Sequence, residues 1–465
     1  MRPVGGRNGR PVAAGAGGSG LGSRSLRAGR WLARTILVLT ASGCAGPAPV
    51  RTVLPELEGA DLDPAAGYEA LPTLRAGDLL PPALLRGPHH RVRDAVGSDG
   101  FLHLYSVDSD FGNFEAAGDD LLRIRIHEIA ALAELDRMQK REEFAKAVTQ
   151  GLKSPFVAAW NLIRDPVDSI LGVPQTAWET IRKTAELTRR ERGELEDSGF
   201  REFIGFESRK RELAYRLGVD PYSSNRALQK QLNRFAWAAY LGGLPFALVP
   251  FQDAPENAEI DPGAQNSEIG PADERLREIL RSYAPEDLRR LDRIELAVMG
   301  VPADLAEAFL SHPWYSPRHA TILIESLAAL DLVEDRTSFV ETALAAGSEA
   351  DARFYQRASQ LLRAYHESER PLERLVARQH TVMGLTAGSQ LVVPLILDRA
   401  VWSRPVAGFA ARVGAARGEL GARGVRLLVS GTLSERARRE LGRRGLEVTE
   451  HAFEALAPRA AEAAP

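Results

Sequence analysis

Cysteine is nearly absent from this chain, which has one thiol, at Cys44, among its 465 residues. A single cysteine cannot form a disulfide within the chain, so the folded state depends on the packing of its core. The length is sufficient for two or three domains, each with a sizeable apolar interior. The remaining question is why the one cysteine lies so near the start of the sequence.

Aspartate and glutamate are absent from residues 1–43, which carry seven arginines and no lysine. An uncharged apolar stretch, 35–41, follows the last of these arginines, and the small residues Ser42 and Gly43 come directly before Cys44. A secretory signal consists of a basic region, a short apolar core and a cleavage region of small residues. The apolar core is too short to cross a bilayer of about 30 Å as a helix. We therefore expect residues 1–43 to be a signal peptide that is removed.

The cleavage region of this segment, Ala41-Ser42-Gly43-Cys44, resembles the lipobox of bacterial lipoproteins. It departs from that pattern at Ala41, where the family prefers leucine or a similar aliphatic residue. The resemblance implies that Cys44 becomes the first residue of the mature chain and carries the lipid. It also implies an outer-membrane location facing the periplasm, because Ala45 rather than aspartate follows the cysteine. The alternative is an ordinary signal peptide beside an incidental cysteine.

The chain after residue 43 has no excess of positive charge, because its acidic side chains outnumber Lys and Arg by 10. Neutralisation of phosphates by basic residues supplies most non-specific affinity for nucleic acid. The composition therefore argues against nucleic acid as a partner. The partners that we expect are the membrane, through the lipid anchor, and other proteins of the cell envelope.

A clear membrane-spanning run is missing too. Residues 235–251 are uncharged, but their length is at the lower limit for a span, and glycines and a proline interrupt the centre. The segment 154–185 carries an apolar stripe at helical spacing, broken by two prolines. We interpret both segments as parts of the protein core. Contact of 154–185 and 235–251 with lipid remains an alternative.

Composition and periodicity change several times along the chain. The stretch before residue 95 is rich in proline, alanine and glycine, and 252–271 is acidic and rich in turn-forming residues. These changes predict the following organisation: signal peptide 1–43, stalk 44–95, β-hairpin with helices 96–251, linker 252–271, helical domain 272–375, small α/β domain 376–455 and tail 456–465.

Three local patterns predict the fold. Alternation from Phe101 to Val107, followed by turn residues, indicates a β-hairpin. Apolar residues at helical spacing indicate a helix that begins near Asp119, and further helices through 375. Near the end, Val425–Val429, a helix capped at Thr432 and a second strand indicate a βαβ unit. The sequence thus predicts a mainly α protein with a small C-terminal α/β domain and a short N-terminal β-hairpin.

Familiar catalytic and metal motifs are absent. His127-Glu128 is not followed by the second histidine of a zinc protease, and no Gly-x-Ser-x-Gly elbow occurs after residue 43. His89-His90 and the pair His312 and His319 are better explained as solvated or satisfied histidines. The oxygen-rich turn formed by Asp108, Asp110, Asn113 and Glu115 lacks EF-hand spacing. We therefore predict no cofactor and no metal site.

Three functional hypotheses remain. The leading one is a lipid-anchored envelope protein without catalytic activity that binds partners. The alternative is an envelope hydrolase or transferase with its site at the strand ends of the C-terminal α/β domain, where the first residues to test are Ser389, Asp398, Ser430 and Thr432. The third is a membrane-active protein. Beyond the signal region the sequence resembles no family of known activity.

Overall fold

The computed structural model describes residues 67–152, 196–244 and 273–457. These residues belong to one compact unit. The signal region, Cys44 and the segment 154–185 lie outside the described residues, as do 252–271 and 245–251.

A curled antiparallel sheet forms the first ordered region. Its strand β4 is central, because β2 and β3 pair with one edge of it and β5 with the other, and β1 extends the sheet beside β3. Every second residue of β4 is buried against the following long helix, which explains the alternation in the sequence. The elements are β1 (Leu74–Arg75), α1 (Ala76–Leu79), α2 (Pro82–Leu85), β2 (His90–Val92), β3 (Ala95–Ser98), β4 (His103–Ser109) and β5 (Gly112–Ala117).

Helices make up the middle of the chain. The first is long and packs against the N-terminal sheet with one part of its length and against other helices with the rest. They are α3 (Asp119–Gln139), α4 (Glu142–Leu152), α5 (Glu196–Arg216), α6 (Arg226–Gly242), α7 (Glu274–Ser282), α8 (Pro285–Val298), α9 (Ala303–Leu310), α10 (Pro317–Ala328), α11 (Arg336–Ala343) and α12 (Glu349–Ser368).

The second sheet has the strand order β12-β10-β8-β7-β6, with β8, β10 and β12 parallel to one another and the β6–β7–β8 meander antiparallel. Helices α13 and α14 form the crossovers between its parallel strands. The elements are β6 (Leu372–Arg378), β7 (Thr381–Thr386), β8 (Gln390–Leu395), β9 (Arg399–Ala400), α13 (Arg404–Glu419), β10 (Gly424–Val429), β11 (Thr432–Leu433), α14 (Glu435–Arg443), β12 (Leu446–Thr449) and α15 (Ala452–Ala455).

Both faces of this second sheet are covered. One face packs against α13 and α14 through residues such as Leu427 and Phe409. The other shares a core with the helices before it, where Tyr365 of α12 and Val392 of β8 belong to the same cluster as Leu323 of α10. Helices therefore enclose the sheet on both sides, as parallel strands require.

The predicted fold class is wrong. The structure is 54% helical and 19% strand, with a five-stranded sheet at 74–117 where a short hairpin was expected and a second five-stranded sheet at 372–449. The protein is therefore not mainly α. The N-terminal strands were missed because β1, β2 and β3 have two to four residues each, too few to show an alternating pattern. β1 and β2 lie within the segment expected to be a stalk, and β3 begins at its last residue.

Several local predictions are confirmed. Strands β4 and β5 form the expected hairpin, and α3 begins at Asp119. The βαβ unit is present, since β10 and β12 are parallel and α14 connects them. The predicted cap of this helix at Thr432 is wrong, because Thr432 belongs to β11 and the hydroxyl of Ser434 accepts the Ala437 N–H instead.

Helix α6 contains the first residues of the uncharged segment 235–251, for which contact with lipid was an alternative. Helix α6 ends at Gly242, and Gly243 adopts a left-handed conformation as its C-cap. Phe235 and Ala239 are buried in the core that α6 forms with α3 and α5. Among the described helices, none combines the length and the hydropathy that crossing a bilayer demands.

Candidate functional site

A cavity of about 500 Å³ lies at the carboxyl ends of β8 and β10. The N-terminal sheet and the first turn of α3 form one wall, α12 forms another, and the loops after β8, β10 and β12 form the rest. In open sheets with parallel strands, ligands bind at this end. The cavity therefore has the position and the size of a binding site for a small molecule.

His103 and Asp119 form a hydrogen-bonded pair on the wall of this cavity. His103 lies on the buried face of β4, and its side chain is 6% exposed. Asp119 is the first residue of α3, where Gly118 reaches it with a φ of 97° that favours glycine. The Nδ1 atom of His103 lies 2.9 Å from Oδ1 of Asp119. This contact fixes the ring and assigns the Nδ1 proton to the bond with the carboxylate.

The other ring nitrogen of His103 is left without a partner. Its Nε2 atom is buried and has no hydrogen bond within the part of the chain that the structure describes. Tyr105 supports the pair, because its hydroxyl donates to the same Asp119 oxygen at 2.6 Å. A histidine that is oriented through Nδ1 by a carboxylate and free at Nε2 can exchange a proton with a ligand.

Asp398, directly after β8, attaches the second sheet to this pair. Its Oδ2 atom accepts the His103 backbone N–H at 2.7 Å, and its Oδ1 atom accepts the Asp119 N–H at 3.1 Å. The Asp398 N–H donates in turn to the Phe101 carbonyl at 3.0 Å. One carboxylate thus holds the start of β4 and the start of α3 against the loop after β8.

The three ionisable side chains of the site shift one another's pKa. Burial lowers the pKa of His103, but the hydrogen bond and the charge of Asp119, with the charge of Asp398, outweigh this and raise it. Burial raises the pKa of Asp119, but hydrogen bonds from His103 and Tyr105 prevail and lower it. Burial and the neighbouring Asp119 raise the pKa of Asp398 to about 7. The pair is therefore an ionised carboxylate beside a histidine that readily holds a proton.

The loop after β10 forms the floor of the cavity. The Ser430 hydroxyl donates to the Leu397 carbonyl and accepts the Leu397 N–H, both at 2.8 Å. A Cβ atom at Gly431 would lie 2.1 Å from the Asp398 carbonyl oxygen, so only glycine allows this approach. The Thr432 N–H donates to the same oxygen at 2.9 Å. These contacts position the loop that carries Asp398.

A metal ion is the other species that this cluster has donors for. His103, Asp119 and Asp398 each offer a ligand atom, and these atoms lie within 4.8 Å of one another. The Nδ1 atom of His103 and the carboxylate oxygens already take part in hydrogen bonds, either with each other or with backbone N–H groups. This bonding is the arrangement of an acid–base cluster.

The structure brings together three of the four residues named from the sequence. Asp398, Ser430 and Thr432 line the cavity, as predicted for the strand ends. Ser389 does not, because it lies in the turn before β8, at the opposite end of that strand, with a φ of 57°. Ser430 lines the cavity, but its hydroxyl is not free to act as a nucleophile, because it donates to the Leu397 carbonyl and accepts the Leu397 N–H.

The other histidines considered from the sequence have structural contacts. His89 Nδ1 lies 2.8 Å from Asp110 Oδ2, and His90 Nε2 lies 3.1 Å from the Leu84 carbonyl oxygen. His127 is buried with Nε2 3.0 Å from the Leu217 carbonyl oxygen. The backbone N–H of His319 is capped by Ser316. These contacts hold elements together.

The oxygen-rich turn of β4 and β5 does not converge on one point. Asp108 makes a bidentate ion pair with Arg93, and Glu115 accepts a hydrogen bond from Ser106. Asp110 is paired with His89. Across the described residues, the one group of three or more metal-ligating side chains is that of His103.

Sequence reasoning missed His103, Asp119 and Tyr105. The sequence predicts His103 and Tyr105 only as members of an alternating strand, and Asp119 only as the start of a helix. A histidine on the buried face of a strand was the available indication, because a buried ring nitrogen needs a partner. The ring partner could not be named, because Asp119 was predicted only as the start of a helix 16 positions away. The support from Asp398 was also hidden, because Asp398 accepts the His103 backbone N–H from 295 positions away.

Comparisons of the chain with family models, with curated proteins and with solved structures find no match.

Proposed function

We propose that this protein is a cell-envelope hydrolase whose active site is the cavity at the ends of β8 and β10. The observation that carries the proposal is the Asp119–His103 pair on the cavity wall, whose buried Nε2 atom has no hydrogen-bond partner among the described residues. The hydrolase alternative from the sequence is thereby favoured over a binder without activity.

His103 is the acid–base residue in this proposal. Its neutral Nε2 atom takes a proton from a water molecule as the water oxygen attacks the substrate's electrophilic centre. The resulting imidazolium then gives that proton to the leaving group, so the histidine is regenerated. Asp119 stabilises the imidazolium and keeps the Nδ1 proton in place, while Asp398 positions both residues through their backbone N–H groups.

The pH dependence follows from the direction of the His103 pKa. General-base catalysis requires the neutral ring, and the His103 pKa lies above its ordinary value of 6.5. We therefore expect kcat/KM to rise with pH and to level off only above the pH at which an unperturbed histidine has lost its proton. In Asp119→Asn the rising limb should move to lower pH, because the charge that favours the imidazolium is gone.

Turnover of chromogenic substrates tests the proposal. The probes are p-nitrophenyl acetate, p-nitrophenyl butyrate and p-nitrophenyl phosphate. The proteins are the wild type, His103→Gln and, as the control, His89→Gln at the residue before β2. General acid–base residues contribute about 10²–10⁴-fold, so His103→Gln should lose at least about 100-fold in kcat/KM while the control stays near wild type. Wild-type rates that match the uncatalysed reaction for all three probes, or full activity in His103→Gln, would refute the proposal.

The location of this activity is proposed from the signal region. We infer that residues 1–43 direct export and that Cys44 carries the lipid that attaches the enzyme to the membrane. Labelling of cells with radioactive palmitate should mark the wild type and leave Cys44→Ala unlabelled, with the variant recovered in the soluble fraction. Membrane retention of an unlabelled wild type would contradict this inference.

A further inference from the structure

Two arginines at the site lack the partners that the other arginines around the cavity have. Arg123 on α3 and Arg399 at the start of β9 both line the cavity and are exposed. Within the described ranges 67–152, 196–244 and 273–457, neither makes an ion pair or a side-chain hydrogen bond. By contrast, Arg357 stacks at 3.8 Å on the ring of Phe453 and lies 3.7 Å from Asp120.

Both arginines line the same cavity as the acid–base pair and act on it electrostatically. Arg123 is four residues after Asp119, one helical turn along α3, and its charge lowers the pKa of that carboxyl. Arg399 directly follows Asp398, and its charge opposes protonation of His103. Two positive groups thus approach the same reactive residues from two different parts of the chain.

Apolar and charged side chains share the rest of the cavity wall, and the charged ones include Asp120, Asp351 and Glu454. Half-buried apolar side chains from five regions contribute to it and are only partly covered by protein: Leu79, Leu102, Phe354, Ile396 and Phe453. Apolar surface of this kind binds alkyl or aromatic groups by removing them from water, at roughly 25 cal/mol per Å². A ligand that lies along Phe354, Ile396 and Phe453 therefore contacts apolar surface, while Arg123 and Arg399 line the same cavity.

We propose that the substrate is a small anionic amphiphile, with its anionic group bound by Arg123 and Arg399 and its apolar portion lying along Phe354, Ile396 and Phe453. Guanidinium groups recognise phosphate and carboxylate through paired N–H donors, and unpaired arginines lose no existing ion pair when they bind. This inference rests on the proposed hydrolase function, since it names the substrate class of the same site.

Binding is measured separately from turnover. Isothermal titration calorimetry with the full chain carrying Cys44→Ala uses three probes: n-octyl phosphate, 1-octanol and inorganic phosphate. We expect n-octyl phosphate to bind at least about tenfold more tightly than either of the other two, because only it engages both the arginines and the apolar walls. Equal affinity for 1-octanol and n-octyl phosphate would overturn the inference.

Variants then assign the two contributions. Arg123→Gln combined with Arg399→Gln should weaken n-octyl phosphate at least about tenfold and leave 1-octanol unchanged. The matched control, Arg370→Gln with Arg374→Gln, removes two exposed charges from outside the cavity and should behave as wild type. Equal weakening in both double variants would mean that net charge alone attracts the anion, which contradicts a specific site.

The two proposals fail in distinguishable ways. His103→Gln should abolish turnover and retain n-octyl phosphate binding within a few fold, because the arginines and the apolar wall remain. Binding of n-octyl phosphate without any ester hydrolysis overturns the hydrolase proposal alone. Hydrolysis that depends on His103 but shows no preference for anionic over neutral esters overturns the substrate class alone.

Discussion

Asp292 provides the sharpest prediction about stability, and it lies away from the proposed site. Its side chain is buried between α8 and α10, with the residue 1% exposed. The Thr321 hydroxyl oxygen lies 2.9 Å from Asp292 Oδ2 and 2.8 Å from the Pro317 carbonyl oxygen. One hydroxyl hydrogen cannot serve both acceptors. The conflict disappears if Asp292 is protonated and donates to Thr321, while Thr321 donates to Pro317.

The electrostatics of Asp292 agree with this assignment. Burial raises the pKa of its carboxyl from 3.8 to about 8, although Thr321 and Arg289 oppose the shift and the nearby Glu325 and Glu295 add to it. Between pH 4 and pH 8 the folded state therefore holds a proton that the unfolded state has released. The free energy of unfolding falls as pH rises through this window, by up to about 1.4 kcal/mol per pH unit.

Asp292→Asn removes this dependence, because the amide donates to Thr321 without holding a titratable proton. Near pH 4 we expect wild type and variant to unfold at similar urea concentrations. At pH 7 the variant should be more stable, on the order of 2–4 kcal/mol. The control Asp287→Asn changes an exposed carboxylate on the same helix and should stay within about 0.5 kcal/mol of wild type at every pH.

The assay is urea unfolding followed by tryptophan fluorescence at several values between pH 4 and pH 8. A difference between wild type and Asp292→Asn that does not change with pH would show that no proton is held there. A less stable variant at pH 7 would show that the carboxylate is ionised and paired. Either result would refute the argument from the two competing acceptors.

Two further predictions concern the loops around the site. In Asp398→Asn the side-chain amide has only one oxygen, so one of the backbone N–H groups of His103 and Asp119 faces an NH₂ group and loses its acceptor. We expect the free energy of unfolding in urea to fall by about 1–3 kcal/mol and turnover to decrease. An unchanged unfolding midpoint would contradict the role of this carboxylate. Gly431→Ala places a Cβ 2.1 Å from the Asp398 carbonyl oxygen, and the displaced loop should lower the melting temperature and turnover, whereas Gly442→Ala on an open helix surface should not. Equal effects of the two alanines would show that the close approach is unimportant.

The sequence predicted best those elements that are long and periodic. Helix α3 and the β4–β5 hairpin were correctly predicted because their apolar residues repeat over many positions. The region 74–98 contains equally real strands, but β1 has only two residues and its pairing with β3 is a contact between segments. A strand of two residues is recognised by the strand that pairs with it, and a single sequence does not show which segments pair.

The strand-end location of the site was predictable for a related reason. A βαβ unit fixes which ends of its strands meet, so Asp398, Ser430 and Thr432 could be named from the positions at which β8 and β10 end. Their chemistry could not be named. Ser430 is engaged by Leu397 on the neighbouring loop, and the acid–base residue comes from the other end of the chain.

The cap of α3 explains why the site depends on the whole fold. A helix begins with N–H groups that have no partner within the helix, and Gly118 has no side chain to satisfy them. The carboxylate of Asp398, 279 positions away, accepts the N–H of Asp119 and so serves as the missing cap. The same carboxylate accepts the N–H of His103. Contact between the N-terminal sheet and the second sheet therefore completes the cap of α3, and it positions the backbones of His103 and Asp119 through the same carboxylate.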